Sequence, residues 1–285
     1  MLGSSESHVS PSAGARSLSS RRFVLSIQHF SNGAYEGIIR EVDLAQRAEL
    51  ARQARRRGPR IARPEAERNP RNEERAGYRA KKRVRHSVKQ MQADRLLTLT
   101  TREQSNTPEV MLERWQRWLK LVERASVGRF HYVAVLEPHP SNPAHLHIHV
   151  AIAVFLPVTI LRRCWWQVCG GRAMGNVHIK RIGGDNSAAR VARVASYISK
   201  YITKETLVRF NKKRYWVSRV NLSDAKEYVL QSRKLAECFA EVITRLGFDA
   251  TSWRRDLWIG KREGVIWFQN HGPEPHEGEN DARQA

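Results

Sequence analysis

Alternating apolar and polar residues mark the first clear strand of the chain, LLTLTT at positions 96–101. Side chains two apart on a strand share a face, so this pattern predicts a half-buried β-strand. The next segment, 107–126, repeats apolar residues at helical spacing instead. Thr107 is suited to the N-cap and Pro108 to the first helical position. The pattern therefore predicts a strand followed by an amphipathic helix.

The same patterns continue downstream and predict an ordered series of elements. Strands are predicted at 130–137, 145–155 and 176–182, and helices at 158–168 and 187–205. The order β, α, β, β, α, β, α predicts an α+β fold of ferredoxin-like type, with an antiparallel sheet and helices on one face.

Composition divides the chain into four regions. The first 90 residues are rich in Arg, Ser, Gly and Pro, so we predict a largely disordered basic arm, with a helix near 40–57. Beyond residue 220 the pattern predicts a helix at 223–246 and a terminal strand. The predicted regions are the arm at 1–90, a folded domain at 91–220, an extension packed on it at 221–271, and a disordered tail at 272–285.

The formal net charge of +22 indicates a polyanionic partner, with nucleic acid the first candidate. Basic protein surfaces bind phosphates by releasing condensed counterions, whatever the nucleotide sequence. Charge alone therefore does not separate an enzyme from a packaging protein. For the same reason, the basic arm is open to two interpretations: it grips the DNA backbone, or it is a solvated tail that favours solubility.

Cysteine content and hydropathy bound the compartment. The three cysteines, Cys164, Cys169 and Cys238, form no CxxC pair and no disulfide framework, which favours a reducing environment. No uncharged stretch approaches the roughly 18 residues that span a bilayer, and the first residues lack an apolar signal region. We therefore expect a cytoplasmic protein without membrane contact.

Three histidines alternate along the predicted strand at 145–155, in HLHIHV. His145, His147 and His149 then share one sheet face, whereas the intervening apolar residues face the core. Neutral imidazoles in a row are suited to bind a metal ion, and Glu137 at the end of the preceding strand can add a carboxylate. Such a set favours Mn²⁺ or Mg²⁺ for polarising a phosphodiester. Alternatively, these are surface histidines of an edge strand.

The segment YISKYITK carries a second group of reactive side chains on the predicted helix. Tyr197 and Tyr201 are four residues apart and share a helix face, as do Lys200 and Lys204 on an adjacent strip. A phenol is a poor nucleophile until its developing phenolate is stabilised, which a polarised phosphate and a nearby lysine can do. On an isolated helix, half-buried tyrosines beside solvated lysines would be the simpler interpretation.

These residues resemble the HUH endonuclease superfamily, and most closely the replication initiators (Rep) of filamentous phages and plasmids and the microvirus gene A initiator. Three motifs occur in the family's order: LLTLTTRE at 96–103, HIHVAI at 147–152 and YISKYITK at 197–204. The segments LRRCWWQV, GNVHIKRI and RYWVSR add to the resemblance. It covers residues 90–220, which would then be the endonuclease domain.

The resemblance implies specific roles for these residues. His147, His149 and Glu137 would hold a divalent metal that orients the scissile phosphate. Tyr197 or Tyr201 would attack it, leaving a 5′-phosphotyrosine and a free 3′-OH, in a nicking reaction that begins rolling-circle replication. Lys200 and Lys204 would neutralise phosphate charge. The third histidine, His145, leaves the metal-binding pair open, although the apolar run directly after His149 favours His147 with His149.

The resemblance also implies the biological setting. The partners would be single-stranded DNA at a replication origin, a host polymerase that extends the 3′-OH, and a host helicase, because the chain contains no GxxxxGK[ST] phosphate-binding loop. The location would be the cytoplasm of a bacterial host. A relaxase or a transposase with the same chemistry, and a non-catalytic DNA-binding protein, remain alternatives. The oligomeric state is not predicted.

Overall fold

The computed structural model describes residues 20–56, 70–103, 106–126, 128–183, 187–202, 215–246, 257–260 and 264–270. These residues form a mixed α+β structure with two antiparallel five-stranded sheets. The strands are β1 (Arg21–His29), β2 (Tyr35–Asp43), β3 (Arg95–Thr101), β4 (Tyr132–His139), β5 (Asn142–Ile152), β6 (Gly175–Arg181), β7 (Trp216–Val217), β8 (Lys226–Val229), β9 (Leu257–Gly260) and β10 (Val265–Asn270). The helices are α1 (Leu44–Arg56), α2 (Pro70–Gln90), α3 (Pro108–Ala125), α4 (Val158–Cys169), α5 (Ser187–Lys200) and α6 (Leu235–Leu246).

The chain forms two compact units, and each draws on separate parts of the sequence. The described part of the first unit comprises 20–27, 37–56, 226–246, 257–260 and 264–268. The described part of the second comprises 28–36, 70–225 with its gaps, and 269–270. None of the described helices is long and apolar enough to cross a lipid bilayer.

The first unit contains most of a sheet with strand order β8-β1-β2-β10-β9. Its core includes Phe268, whose ring contacts Phe239 of α6 with centroids 6.5 Å apart. The same ring lies against Gly37 of β2, where a Cβ atom would come within 2.1 Å of it. Glycine is therefore required at this position, because any side chain would displace the Phe268 ring.

The second unit contains the sheet β6-β3-β5-β4-β7, called here the site sheet. Its first four strands follow the chain order β3, α3, β4, β5, α4, β6, and all pairs between neighbours are antiparallel. Such a βαββαβ unit, with its first and third strands in the centre, is the predicted ferredoxin-like arrangement. Edge strand β7 extends it by pairing with β4.

Helices cover both faces of the site sheet, whereas the sequence pattern predicted them on one face. One face packs on α3 and α4, around the buried Trp115, Trp118 and Trp165. The opposite face, called here the site face, packs on α2 and α5. The difference arises because α2 lies in the N-terminal region, where we predicted disorder, and so was not considered as a layer of the fold.

Element boundaries show which local signals were sufficient. Thr107 caps α3, its side chain accepting a hydrogen bond from the Val110 backbone N–H, and Pro108 is the first helical residue, as predicted. The helix predicted at 223–246 is wrong in its first half. There β8 pairs with β1 instead, with Val229 opposite Val24, and helix α6 begins only at Leu235.

The N-terminal region corrects the predicted disordered arm and the domain limits drawn from it. Residues 21–43 form β1 and β2, 44–56 form α1, which agrees with the helix expected near 40–57, and 70–90 form α2. The low apolar content averaged over 90 residues concealed short strands such as FVLSI at 23–27, whose residues are buried. Residues 226–268 share a unit with this region rather than forming a separate extension. Residues 1–19 and 271–285 lie outside the described residues.

A buried cluster of charged side chains anchors the end of α2. The Glu36 carboxylate accepts hydrogen bonds from Lys89 at 2.8 Å and from Arg85, and lies 3.0 Å from His86 Nε2. Burial raises the pKa of Glu36, but Lys89, His86 and Arg85 outweigh it and hold that pKa well below its usual value. The carboxylate is therefore charged and compensates the cations that α2 buries.

Replacing Glu36 with Gln should lower the free energy of unfolding at pH 7 by about 3 kcal/mol, because it leaves buried cations without their counter-charge. Since the folded-state pKa of Glu36 is depressed, its contribution is present above its unfolded pKa and lost as the pH falls through the folded value. The gap between the two proteins should therefore narrow under acid. Urea unfolding at several pH values measures this.

The matched control is Glu113→Gln, which removes an exposed carboxylate 3.9 Å from Arg117 on α3. Exposed pairs of this kind contribute little, so this variant should keep the wild-type free energy of unfolding. Equal stability of the Glu36→Gln variant and the wild type at pH 7 would contradict the role given to the cluster.

Candidate functional site

The histidine row of β5 lies on the site face, as its alternation predicts. Leu146, Ile148 and Val150 enter the core beneath α3 and α4. His145, His147 and His149 therefore point to the side covered by α2 and α5. Strand pairing places Glu137 of β4 directly opposite His147. The tertiary structure thus brings together the four groups that the sequence proposed as metal ligands.

A hydrogen-bonded chain fixes the orientation of His149. Its Nε2 lies 2.8 Å from Glu137 Oε2, and its Nδ1 lies 3.1 Å from the Thr98 hydroxyl of β3. The Nε2–H can donate to the carboxylate while Nδ1 accepts from the hydroxyl. Thr98 was not identified from sequence as a site residue, although its alternation in LLTLTT places it on this face.

His147 has a buried ring nitrogen with no partner. Among the described residues, no hydrogen-bond partner lies near its Nε2. Burial, followed by the neighbouring His145, His139 and His149, lowers the pKa of His147 to about 4. The imidazole is therefore neutral near pH 7, which is the form that binds metal ions. A buried nitrogen without a partner is costly, so a site that keeps one is suited to an external ligand.

His145 and His139 complete a group of imidazoles around His147. The ring centroids of His145 and His147 are 4.8 Å apart, and those of His139 and His147 are 5.0 Å apart. His145 Nε2 donates to the Thr101 carbonyl at 2.8 Å. His139 was not identified from sequence, because it lies outside the alternating run and reaches the group only through the hairpin that joins β4 and β5.

Both tyrosines of the third motif reach this face. The Tyr201 ring stacks on His149 with centroids 4.7 Å apart and planes 7° apart, and Tyr197 meets Tyr201 edge-on at 5.3 Å. Helix α5 ends at Lys200, so Tyr201 lies in the turn just beyond it rather than in the helix as predicted. The expected proximity of the two phenols holds in spite of this.

The two phenols differ in environment. Tyr201 is 7% exposed, whereas Tyr197 is 40% exposed. Burial, a hydrogen bond with Tyr197 and the nearby Glu137 carboxylate raise the pKa of Tyr201 well above its usual value. The Tyr201 phenol is therefore protonated near pH 7, and Tyr197 is the phenol that a ligand can approach from solvent.

The lysines of the motif are less well defined. Lys200 is exposed at the end of α5, on the helix that carries Tyr197. Lys204 lies outside the described residues. No group of three or more His, Cys, Asp or Glu side chains within the described ranges is already arranged around a common metal position. The individual donors nevertheless fit a divalent cation: a partnerless imidazole nitrogen on His147, a second imidazole on His149, and a carboxylate bonded to it.

Comparison with known proteins gives one match, which covers the segment that contains the site. No curated protein and no solved structure matches the chain. Residues 94–206, from β3 through the histidine row and both tyrosines, match the family model of the replication-associated proteins of the ORF2 type, which supports a role in replication.

Proposed function

We propose that the protein is a site-specific single-stranded DNA endonuclease that also rejoins DNA ends, of the HUH type, and that it initiates rolling-circle replication. One observation carries the proposal: the Tyr201 ring stacks on His149 and Tyr197 contacts Tyr201, beside the partnerless nitrogen of His147. A nucleophile and a set of metal donors thus share one face. The family match covers both and supports a replication initiator.

His147, His149 and Glu137 would hold a divalent cation, Mn²⁺ or Mg²⁺, with His145 as the alternative partner of His147. When bound, the cation supplies positive charge that polarises and orients the scissile phosphate. The engagement of His145 Nε2 by the Thr101 carbonyl favours His149 as the second imidazole. The bond between His149 and Glu137 places a carboxylate oxygen and an imidazole nitrogen next to each other before any ion enters.

The chain's own residues then perform the covalent step. A tyrosine oxygen forms a bond to phosphorus while the bond from phosphorus to the 3′ oxygen breaks. The phenol loses its proton to water, and the departing 3′ oxygen takes one up, so the products are a 5′-phosphotyrosine and a 3′-OH. Lys200, and Lys204 by resemblance, would neutralise the charge that builds on the phosphate.

The difference in exposure gives the two tyrosines an order. Tyr197 would attack first, because it is open to solvent and can lose its proton to water. Tyr201 would remain protonated while stacked on His149, since burial raises its pKa. Release of the first strand end, or a shift of the turn after Lys200, would then make Tyr201 available for a second transfer.

The products define the partners of the reaction. A free 3′-OH is a primer end, so a host polymerase would extend it, and a host helicase would separate the strands. The substrate would be single-stranded DNA at an origin. Transfer of the 5′-phosphotyrosine to a 3′-OH, the reverse of cleavage, would rejoin the strand without an external energy source.

Incubating the protein with Mn²⁺ and a randomised pool of single-stranded DNA should give a covalent adduct that survives SDS. EDTA should abolish the adduct, because the phosphate then lacks its polarising charge. The double variant Tyr197→Phe, Tyr201→Phe should give none. Absence of adduct with the wild-type protein would instead support a protein that binds DNA without cutting it.

The single variants test the order of attack. Tyr197→Phe should lower the rate of first adduct formation by at least a hundredfold, and Tyr201→Phe by less than tenfold, because only Tyr197 is exposed. Peptide mapping of the wild-type adduct after a short reaction should identify Tyr197. An initial adduct on Tyr201 would contradict the order.

Glu137→Gln and His147→Ala should each weaken Mn²⁺ binding by about 10- to 100-fold, as loss of a donor or its orientation does at other metal sites. Titration calorimetry of the DNA-free protein measures the affinity. The matched control is His131→Ala, since His131 precedes β4 and contacts Ser218 rather than the histidine row. Equal affinity in all three variants would place the ion elsewhere.

A further inference from the structure

Helix α2 carries its positive charge on one side. Arg75, Arg79 and Lys82 are exposed and recur at intervals of four and three residues, so they share a helix face. Ala80, Val84 and Val88 are buried on the opposite side. From residue 75 to residue 90 the helix contains no carboxylate. Helix α2 therefore presents an uninterrupted cationic face away from its core face.

An exposed aromatic ring lies within this cationic face. Tyr78 is 60% exposed and lies three residues after Arg75 and four before Lys82. Among the described residues, no hydrogen bond or ion pair is found for the side chains of Arg75, Arg79 or Lys82. These cations are thus available for external anions, with an aromatic ring between them. The face of Arg75, Tyr78, Arg79 and Lys82 is called here the α2 cationic face.

The position of α2 relates this face to the candidate site. Its apolar side packs along α5, in the same cluster as Ile198 and Tyr201. Helix α2 is therefore on the site face of the sheet, together with the histidine row and both phenols. At its far end, the Glu36 cluster holds Arg85, His86 and Lys89 in place, so the orientation of the helix is fixed.

We propose that the α2 cationic face binds the backbone of single-stranded DNA next to the nicking site, with Tyr78 stacking on a base. The proposal rests on the function proposed above and adds the surface that holds the substrate. Regularly spaced cations together with an exposed aromatic ring suit a single strand, because its phosphates and its unpaired bases are both accessible. A duplex offers the phosphates alone, since its bases are stacked on each other.

The first test measures binding without cleavage. In EDTA, a fluorescent single-stranded oligonucleotide of mixed sequence is titrated with the wild-type chain and with the triple variant Arg75→Gln, Arg79→Gln, Lys82→Gln at several salt concentrations. If each cation contacts one phosphate, the slope of log affinity against log salt should fall in magnitude by about 2. Far-UV circular dichroism should be unchanged, since all three side chains are exposed.

A matched variant removes the same charge from the other side of the sheet. Arg117→Gln, Lys120→Gln, Arg124→Gln changes three exposed cations of α3, where Glu109, Glu113 and Glu123 are also exposed. Its salt dependence and affinity should stay close to those of the wild type. Equal losses in the two triple variants would overturn the proposal, because they would trace binding to total charge.

Tyr78 tests the stacking independently of charge. Tyr78→Ala should weaken binding about tenfold and Tyr78→Phe should restore it, because base stacking needs the ring and not the hydroxyl. Wild-type affinity in Tyr78→Ala, or tighter binding of duplex than of single strand, would overturn the proposal.

The covalent adduct assay separates this proposal from the proposed function. Loss of binding in the α2 variants with a wild-type protein that forms no adduct would keep the surface and reject the nicking reaction. Adduct formation with wild-type binding in every α2 variant would keep the reaction and reject the surface.

Discussion

The alternation of side chains along β5 is the constraint on which the rest of the site depends. Leu146, Ile148 and Val150 must be buried under α3 and α4, so the intervening histidines are forced to the opposite face. Slipping the strand by one residue would bury imidazoles in the core and expose leucine. The hydrophobic effect therefore fixes the metal donors in place, and the site needs no interaction of its own to hold its register.

Pairing between strands converts this row into a chemical site. Strand β4 brings Glu137 opposite His147 and β3 brings Thr98 opposite His149, so both are positioned by backbone hydrogen bonds. The carboxylate and the hydroxyl then orient the His149 ring from its two nitrogens. Helix α5 lies on the same face and ends where Tyr201 can stack on that ring. Nucleophile and donors thus come from segments about fifty residues apart in sequence.

The site face also accounts for the positive charge of the chain. The buried Glu36 carboxylate compensates the cations that α2 turns inward, while Arg75, Arg79 and Lys82 remain exposed. Charge that is partly neutralised on one side of a helix and left open on the other can bind a polyanion without destabilising the fold. The proposed track for single-stranded DNA and the proposed nicking site would then belong to one face of one sheet.

The sequence by itself determined the ferredoxin-like order of strands and helices from β3 to α5, the cap of α3, and the shared face of His145, His147 and His149. These follow from periodicity and local side-chain chemistry, which act over a few residues. Only the tertiary structure decided which residues meet across strands: the partner of His149, the place of His139, and the burial that distinguishes Tyr201 from Tyr197. It also decided that α2 is a layer of the fold, because the stability of that helix comes from its contacts with α5 and Glu36, and the composition of its own region contains no trace of them.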